Sequence, residues 1–304
     1  MERLESTVES AADKMRLDRL LATLRPDISR SEIQRQIRDG LVQIGDELVR
    51  RSSHRVRQND RVSWEIPAAK ALNPSTIPLS ILYEDESVVA VDKPIGLVVH
   101  PGAGTEATTL VEGLLSTRQL PESDDPTRPG IVHRLDKGTS GVIVVAKTAQ
   151  ALETLQRQFA DRAVAKAYLA VVAGIIEEDE GVIDAPIGRD PARPSRMAII
   201  PTGRQSETHF RVLERGAERT LVLAMPQTGR THQIRAHFQY IEHPVVGDDT
   251  YGGPRGSRML LHAWRLAIRH PQSNEELQVE ASVPAEFPAY DYESVPWTRL
   301  PEAG

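Results

Sequence analysis

The chain has no cysteine, few aromatic residues and no long hydrophobic run. Without cysteine there is no disulfide, no thiolate nucleophile and no cysteine-ligated zinc site. The nine histidines are scattered and none forms an H-x-x-x-H pair, so no metal site is expected. The apolar runs VIVVA and LVVH are too short to cross a bilayer. The N-terminal MERLESTVES lacks the order of a secretory signal, and we therefore expect a cytoplasmic protein with no membrane partner.

The size and balance of the chain are those of a globular protein with two domains, because its 304 residues are 39% hydrophobic and 26% charged. Its net charge is −6, which taken alone argues mildly against a nucleic-acid partner. The charge is unevenly distributed, since residues 13–66 hold 12 Lys and Arg against 9 Asp and Glu. Basic character is therefore concentrated towards the N-terminus.

The N-terminal part has the pattern of a small helical module with a short sheet. Residues 1–12 are polar and predict a disordered tail. In residues 13–66, leucines at helical spacing are followed by a second amphipathic stretch and then by short strand-like runs around Gly45-Asp46. Basic side chains lie off the apolar stripe of the second helix or follow it: Arg30, Arg35, Arg38, Arg50 and Arg51.

A charged surface of this kind is usually only solvated. The order of the whole segment, however, resembles the α-L RNA-binding module of ribosomal proteins and tyrosyl-tRNA synthetases, in which two helices and a small sheet present a basic surface to RNA. The resemblance implies that these five arginines contact RNA.

The rest of the chain has the pattern of one large domain. Residues 67–78, PAAKALNPSTIP, hold three prolines and no periodicity, which predicts a linker before a domain at 79–304. The clearest helices cover 149–162 and 230–242, and the strand candidates are SVVAVDK, GVIVVAK, KAYLAVVAG, HFRVLERG, TLVLAMP and RLAIRHP. Many strands with few, irregularly placed helices predict a mixed α+β fold on a largely antiparallel sheet.

The most informative stretch is HRLDKGTSG, residues 133–141, which runs into the apolar strand at 142–146. An apolar run of that kind is buried on both faces, so the polar segment before it is held at the edge of the core. A turn whose Asp and Ser satisfy backbone donors would explain an arbitrary D-x-x-S-G. Crowding of charged and titratable side chains into HRLDK favours a catalytic loop instead.

HRLDKGTSGVIVVAKT resembles the signature of the RluA-type pseudouridine synthases. DKPIGLVVHPGAG, KAYLAVV, TGRTHQIRAH and HPVVGDDTYGG match that family's other blocks in order and spacing, over about residues 79–287. With the α-L module in front, the chain is most similar to the large-subunit synthase D type. Asp92 stands where the family pattern expects Asn, and Gly138 where an acidic residue is common. The resemblance implies isomerisation of uridine to pseudouridine, most naturally in 23S large-subunit ribosomal RNA.

The family pattern implies that Asp136 is the catalytic nucleophile. A carboxylate can attack the ribose anomeric carbon or uracil C6 and form a covalent intermediate. Elimination to a glycal is the alternative route, and both stay open. Arg235 matches the arginine that pairs with this aspartate, since a neighbouring guanidinium favours the ionised carboxylate in a closed pocket. Tyr168 matches the active-site tyrosine, which stacks on the detached base and is a candidate for proton transfer.

Four further residues are predicted to bind the substrate. The resemblance implies that the Arg134 side chain fills the space left when the target uridine leaves the base stack. Unstacking the uridine costs on the order of a few kcal/mol. Lys166 lies two residues before Tyr168 on a strand, so both side chains share one face. His133 is expected to shape the loop or contact phosphate, and Arg230 to contact RNA or the loop.

The implied reaction exchanges a C–N bond for a C–C bond within one nucleotide. No cofactor and no metal are therefore expected, and the expected partner is ribosomal RNA bound by a monomer. Two other functions stay open. A glycoside hydrolase would need two carboxylates across the scissile bond, and Asp248 or Asp249 could supply the second. A non-catalytic ribosome-assembly factor could use the basic module alone, although the intact set of Asp136, Tyr168 and Arg235 argues against it.

Overall fold

The computed structural model describes residues 2–26, 28, 30–66, 72–101, 107–193 and 196–296. Contacts between residues divide the chain into two compact units. Unit 1 comprises residues 1–72 with 122–129, and unit 2 comprises residues 73–121 with 130–304.

The described residues of unit 1 form two α-helices and four strands. In chain order its elements are β1 (Glu2–Thr7), a 3-10 turn (Ser10–Ala12), α1 (Leu17–Leu24), α2 (Arg30–Arg38), β2 (Val42–Ile44), β3 (Glu47–Leu48) and β4 (Arg61–Ile66). The strands form one antiparallel sheet in the order β1, β4, β2, β3. Leu17 of α1, and Ile33 and Ile37 of α2, are fully buried against this sheet, as the helical spacing of the apolar residues predicts.

Asp18 is a buried acid that ties the two helices of unit 1 together. Its carboxylate accepts hydrogen bonds from Arg16, Arg30 and Gln34. These bonds, with that from Arg16 foremost, outweigh the effect of burial and hold the pKa of Asp18 well below its ordinary value. Some of the N–H donors of Arg30 are therefore used in a contact with Asp18 inside unit 1.

The expectation of a disordered tail at residues 1–12 is wrong for β1. This strand pairs antiparallel with β4 along its whole length and places Leu4 opposite Trp64. Most of its side chains are exposed, as an edge strand allows, so a polar segment of this kind carries little signal for pairing. Backbone hydrogen bonds and the contact of Leu4 with the core hold it in place.

In unit 2, nine of the described strands form one large sheet. Its elements are β5 (Ser80–Glu84), β6 (Val88–Lys93), α3 (Leu110–Leu115), β7 (Ser140–Ala146), α4 (Ala149–Ala160), β8 (Ala165–Ala173), β9 (Glu180–Asp184), β10 (Ile187–Arg189), β11 (Met197–Ile199), β12 (Glu207–Arg215), β13 (Arg219–Pro226), α5 (Gln233–Tyr240), β14 (Leu261–Arg269), β15 (Glu276–Glu280) and a 3-10 turn (Tyr292–Ser294).

The order of this sheet is β5, β6, β7, β14, β8, β13, β12, β9, and β15 pairs with β14. The pair of β7 and β14 is parallel, whereas the other pairs formed by the described strands are antiparallel. Strands β10 and β11 form a separate antiparallel pair. The prediction of a mixed α+β fold on a largely antiparallel sheet is confirmed.

The linker predicted at residues 67–78 is only partly described, because residues 67–71 lie outside the described residues. Asn73 and Ser75 donate their backbone N–H groups to Glu112, so this part of the segment already belongs to unit 2. Ile77 packs over Gly113, where a Cβ would lie 2.5 Å from its side chain. The limits of the linker, and of the domains at 13–66 and 79–304, remain predictions.

Candidate active site

The predicted catalytic loop leads directly into β7, which is buried along its whole length. Leu135 is 4% exposed and packs with Val99 and Ile143 in the core. The side chain of its neighbour Asp136 is 17% exposed. Thr139 N–H donates to the backbone oxygen of Asp136 at 3.1 Å and closes the turn. The buried leucine therefore fixes the loop and leaves the aspartate accessible.

His133 anchors the start of this loop. Val144 N–H donates to its Nε2 at 2.9 Å, and its ring stacks on Phe159 at 4.6 Å between centroids. Burial, and next the charge of Lys166, lower the pKa of His133 to about 3, so the ring is neutral at physiological pH. A neutral, packed ring is poorly suited to bind phosphate. These contacts support the loop-shaping role expected for His133, and a contact of this residue with substrate remains a prediction.

Gly141 allows β7 and β14 to approach closely behind the loop. Its φ is +110°, and a Cβ there would lie 2.1 Å from the carbonyl oxygen of Ala263. A side chain is excluded on conformational and steric grounds. Because Ala263 also pairs with Tyr168 of β8, the close approach at Gly141 places the end of the motif and Tyr168 on either side of the same residue of β14.

Arg235 of α5 is shared between two carboxylates. Its Nη1 donates to Asp136 Oδ2 at 3.0 Å, while Nε and Nη2 form a two-point pair with Asp248 at 2.6 and 2.9 Å. The side chains of Arg235 and Asp248 are 9% and 1% exposed. Burial opposes the charge of Arg235, but the hydrogen bonds and charges of Asp248, and then those of Asp136, raise its pKa above the ordinary value. Asp248 thus holds a permanently charged guanidinium against Asp136.

Tyr251 and His232 complete the frame around Arg235. The guanidinium carbon lies 5.0 Å from the centre of the Tyr251 ring. The Tyr251 hydroxyl donates to the carbonyl oxygen of Met197 at 3.0 Å and lies 3.1 Å from His232 Nδ1. His232 Nε2 is 3.9 Å from Asp136 Oδ2, and its φ of 55° is rare for a residue with a side chain. Burial lowers the pKa of His232, with the charge of Asp136 opposing it, and favours the neutral ring.

Tyr168 lies on β8 between two alanines, Ala224 of β13 and Ala263 of β14. Its side chain is half-buried. Burial, and next the charge of Asp136, raise the pKa of Tyr168, so its hydroxyl stays protonated at neutral pH. The predicted nucleophile and the predicted tyrosine therefore lie close enough to interact electrostatically.

Lys93 is a charged residue of the pocket to which sequence reasoning assigned no role. Its side chain is fully buried, and Nζ donates to the carbonyl oxygens of Pro94 and Leu97 at 2.9 Å each. Burial lowers the pKa of Lys93 to about 8, while the charge of Asp136 opposes the shift. Gly96 N–H donates to the backbone oxygen of Lys137 at 2.8 Å, which joins the 94–97 turn to the catalytic loop. The available signal was a lysine that directly follows the apolar run VVAV and Asp92.

The other predicted substrate contacts lie around this pocket. Arg134 is exposed on the loop. Lys166 Nζ donates to the carbonyl oxygen of Thr228 at 3.3 Å. The guanidinium of Arg230 donates to the carbonyl oxygen of Gln205 at 3.3 and 3.4 Å. Their roles towards substrate remain predictions.

The five arginines predicted to bind RNA differ in their contacts within unit 1. Three of them donate to a carboxylate or to a backbone carbonyl: Arg30, Arg35 and Arg50. Arg38 and Arg51 are exposed, and no carboxylate of the described residues lies within 4.0 Å of either. These two side chains are the best placed of the five to meet a ligand.

Two general features of the described residues bear on the class of site. None of their helices is both long and apolar enough to cross a membrane. In the same part of the chain, no three or more His, Asp or Glu side chains are grouped so that they could hold a metal ion.

Comparison with family models matches both units of the chain. Residues 87–240 match the RNA pseudouridylate synthase family, and residues 15–62 match the S4 domain family. The first match covers just over half of the chain and includes Asp136, Tyr168 and Arg235. This chain belongs to the RNA pseudouridylate synthase family, and the predicted resemblance to its RluA-type members is confirmed.

Two related proteins are similar to this chain along nearly its whole length. The uncharacterized RNA pseudouridine synthase YlyB of Bacillus subtilis is 40% identical over an alignment 294 residues long, which covers 94% of this chain and 96% of that protein. The ribosomal large subunit pseudouridine synthase D of Nitrosomonas europaea is 41% identical over an alignment 300 residues long, which covers 94% of this chain and 86% of that protein. The solved structure of human RNA pseudouridylate synthase domain containing 1 has 32% identity and a TM-score of 0.56, and covers 67% of this chain and 83% of that one.

Proposed function

We propose that this chain isomerises uridines to pseudouridine in large-subunit ribosomal RNA, with Asp136 as nucleophile. Family membership supports the reaction, and the name of the Nitrosomonas europaea relative supports the substrate. The observation that carries the site is the ion pair of 3.0 Å between Asp136 and Arg235, formed by a loop and a helix that the motifs single out.

The reaction moves the ribose from N1 of uracil to C5. The C1′–N1 bond breaks, the C1′–C5 bond forms, C5 loses a proton and N1 gains one, so the atoms balance without a co-reactant. Asp136 is accessible on one side and paired with Arg235 on the other, which suits attack on C1′ or on uracil C6, or removal of a ribose proton towards a glycal. Each route divides the exchange into smaller steps.

Arg235 and Tyr168 have different roles in this proposal. Arg235 acts through Asp136, because its fixed charge stabilises the carboxylate before it reacts and again when it is released. Tyr168 faces the space beside Asp136 and can stack on the detached base. Its protonated hydroxyl can donate a hydrogen bond or a proton while the base turns from N1 to C5.

Hydrolysis of a glycosidic bond is less well supported. Both oxygens of Asp248 accept hydrogen bonds from Arg235, and the side chain is 1% exposed. An acid held in this way is not available to activate water across a scissile bond. The carboxylate pair that the sequence allowed is therefore better explained as support for Arg235.

We also infer that the protein works as a monomer in the cytoplasm without a cofactor. The proposed partner, ribosomal RNA or its assembly precursor, supports that location. The balanced isomerisation supports the absence of a co-reactant.

The direct test is pseudouridine formation on a defined RNA. Purified protein should convert specific uridines in a large-subunit ribosomal RNA transcript, and chemical mapping should find the same positions unmodified in cells that lack it. Conversion without release of free uracil is the expected result. Release of uracil would support hydrolysis. If the protein converts uridines in transfer RNA but none in large-subunit ribosomal RNA, the proposed substrate is wrong and transfer RNA replaces it.

The S4 domain should supply sequence-independent affinity for RNA. Replacing Arg38 and Arg51 with Gln in the full chain should weaken binding and lower the log–log salt slope by about 0.7–0.9 per lost phosphate contact. Filter binding at several salt concentrations measures both. Arg3→Gln controls for the loss of a single exposed charge from the same unit, because Arg3 is exposed but paired with Glu5 at 3.0 Å. An unchanged salt slope in the double variant would remove these two arginines from the RNA interface.

A further inference from the structure

Four cations of unit 2 gather at one edge of its large sheet: Arg162, Lys166, Arg204 and Arg230. They come from the end of α4, the start of β8, the segment before β12 and the segment after β13. Strand β13 runs antiparallel to both β8 and β12, and Pro226 at its end pairs with Thr208 at the start of β12. The start of β8, the start of β12 and the end of β13 therefore meet at the same edge.

Backbone carbonyls link these segments to one another. Lys166 donates to Thr228 at 3.3 Å, two residues before Arg230. Arg230 in turn donates to Gln205, which directly follows Arg204. Arg162 is exposed four residues before Lys166. The four side chains thus form one group although they are far apart in the chain.

This group holds positive charge without an acidic partner. Among the described residues, no carboxylate lies within 4.0 Å of any of the four, although the chain as a whole has more acidic than basic residues. Burial and then the charge of Arg162 lower the pKa of Lys166 to about 8. Burial and then the charges of Arg204 and Arg162 lower the pKa of Arg230. Mutual repulsion of this kind is relieved when an anion binds.

The cation group flanks the candidate active site. Lys166 shares a face of β8 with Tyr168, roughly 7 Å along the strand. Arg230 precedes by two residues His232, whose Nε2 lies 3.9 Å from Asp136. A uridine that reaches Asp136 remains joined to its strand through phosphates on both sides. An anion bound at this edge would therefore belong to the same strand.

We propose that Arg162, Lys166, Arg204 and Arg230 form a binding site for phosphodiester groups of the RNA strand next to the target uridine. The inference rests on the proposed function. It assigns Arg162 and Arg204, which no motif singled out, to the same phosphate contacts as Lys166 and Arg230. These contacts fix the register of the strand and carry no base specificity.

The test uses the double variant Arg162→Gln/Arg204→Gln in the full chain. Both side chains are exposed, so the fold should tolerate the change. The probe is a large-subunit RNA fragment that the wild-type protein modifies, and its Kd is measured at several salt concentrations. The log–log salt slope should fall by about 1.4–1.8, which corresponds to roughly 25- to 60-fold weaker binding at 0.1 M salt. Arg162→Lys/Arg204→Lys should keep the wild-type slope.

The control removes the same charge elsewhere in unit 2. Arg157 is exposed and pairs with Glu153 at 2.9 Å. Arg211 pairs with Glu180 at 3.8 Å, and its side chain is 42% exposed. Arg157→Gln/Arg211→Gln should keep the wild-type slope. Equal slopes for the test and control variants would overturn the site. Conversion of uridine by the wild-type protein is measured on the same RNA fragment. If the wild type converts uridine but the test variant keeps the wild-type salt slope, only this phosphate site is refuted. If the wild type does not convert uridine, the proposed function is refuted.

Discussion

Asp136→Asn should abolish pseudouridine formation while RNA binding persists. The amide keeps the size of the side chain but is neither a nucleophile nor a base, so the single-turnover rate at saturating RNA should fall by at least about 1000-fold. The Kd for RNA should change by less than about twofold, because phosphate contacts and not this carboxylate supply the affinity. Both quantities are measured on the same ribosomal RNA fragment.

The fold should survive this substitution, because Arg235 keeps its two-point pair with Asp248. Asp249→Asn is the matched control, since Asp249 is an exposed acid of the same unit and should be dispensable for the rate. A folded Asp136→Asn protein with substantial turnover would refute the nucleophile. A severe loss in Asp249→Asn would instead reopen the two-carboxylate mechanism.

The catalytic loop could be predicted because its signal is local. A polar segment before a fully apolar strand must lie at the edge of the core, and the structure anchors it there through Leu135. Arg235 and Tyr168 were predicted as site residues only because whole motifs match a family. An arginine on a helix or a tyrosine on a strand has by itself several ordinary explanations.

The sequence offered Asp248 only as a possible second carboxylate of a hydrolase, and it assigned no role to Tyr251 or Lys93. Asp248 is 13 residues beyond Arg235, and only the tertiary fold turns it into a two-point partner. Lys93 is at the end of an apolar strand, where a solvated lysine is the usual expectation, yet it is fully buried under the catalytic loop. The packing of His133 against Phe159 likewise depends on where α4 crosses the sheet, so the sequence left both loop shaping and phosphate contact open for this residue.

In the fold too, some elements are predicted by local sequence patterns and others depend on distant contacts. The long apolar strands β6, β7, β8, β13 and β14 and the helix α4 carry strong periodic signals and were predicted. Strands β1, β9 and β15 were not, because they are short or half-exposed and are held by pairing with distant partners. The parallel contact of β7 and β14 joins residues more than 100 positions apart, and no local pattern predicts it.

Arg235→Met should be the second severe loss, and Asp248→Asn should reproduce part of it. Methionine leaves two largely buried carboxylates without their counter-charge, so the single-turnover rate should fall at least about 100-fold and the free energy of unfolding by about 3–5 kcal/mol. Asp248→Asn leaves the guanidinium in place but replaces one acceptor with an N–H donor. Its rate should fall by roughly 10- to 100-fold, as expected for a group that orients a catalytic partner. Saturated single-turnover rates and denaturant unfolding measure these effects.

The double variant Arg235→Met/Asp248→Asn shows whether Asp248 only positions Arg235 or contributes to the reaction independently. If Asp248 acts only through Arg235, the double variant reacts no more slowly than Arg235→Met and is more stable than it, because one unpaired buried charge has been removed. Asp85→Asn is the matched control, since Asp85 accepts hydrogen bonds from Tyr83 and His270 away from the pocket and should lower stability without lowering the saturated rate. A wild-type rate for folded Asp248→Asn would refute the positioning role. A double variant slower than Arg235→Met would show that Asp248 contributes to the reaction by itself.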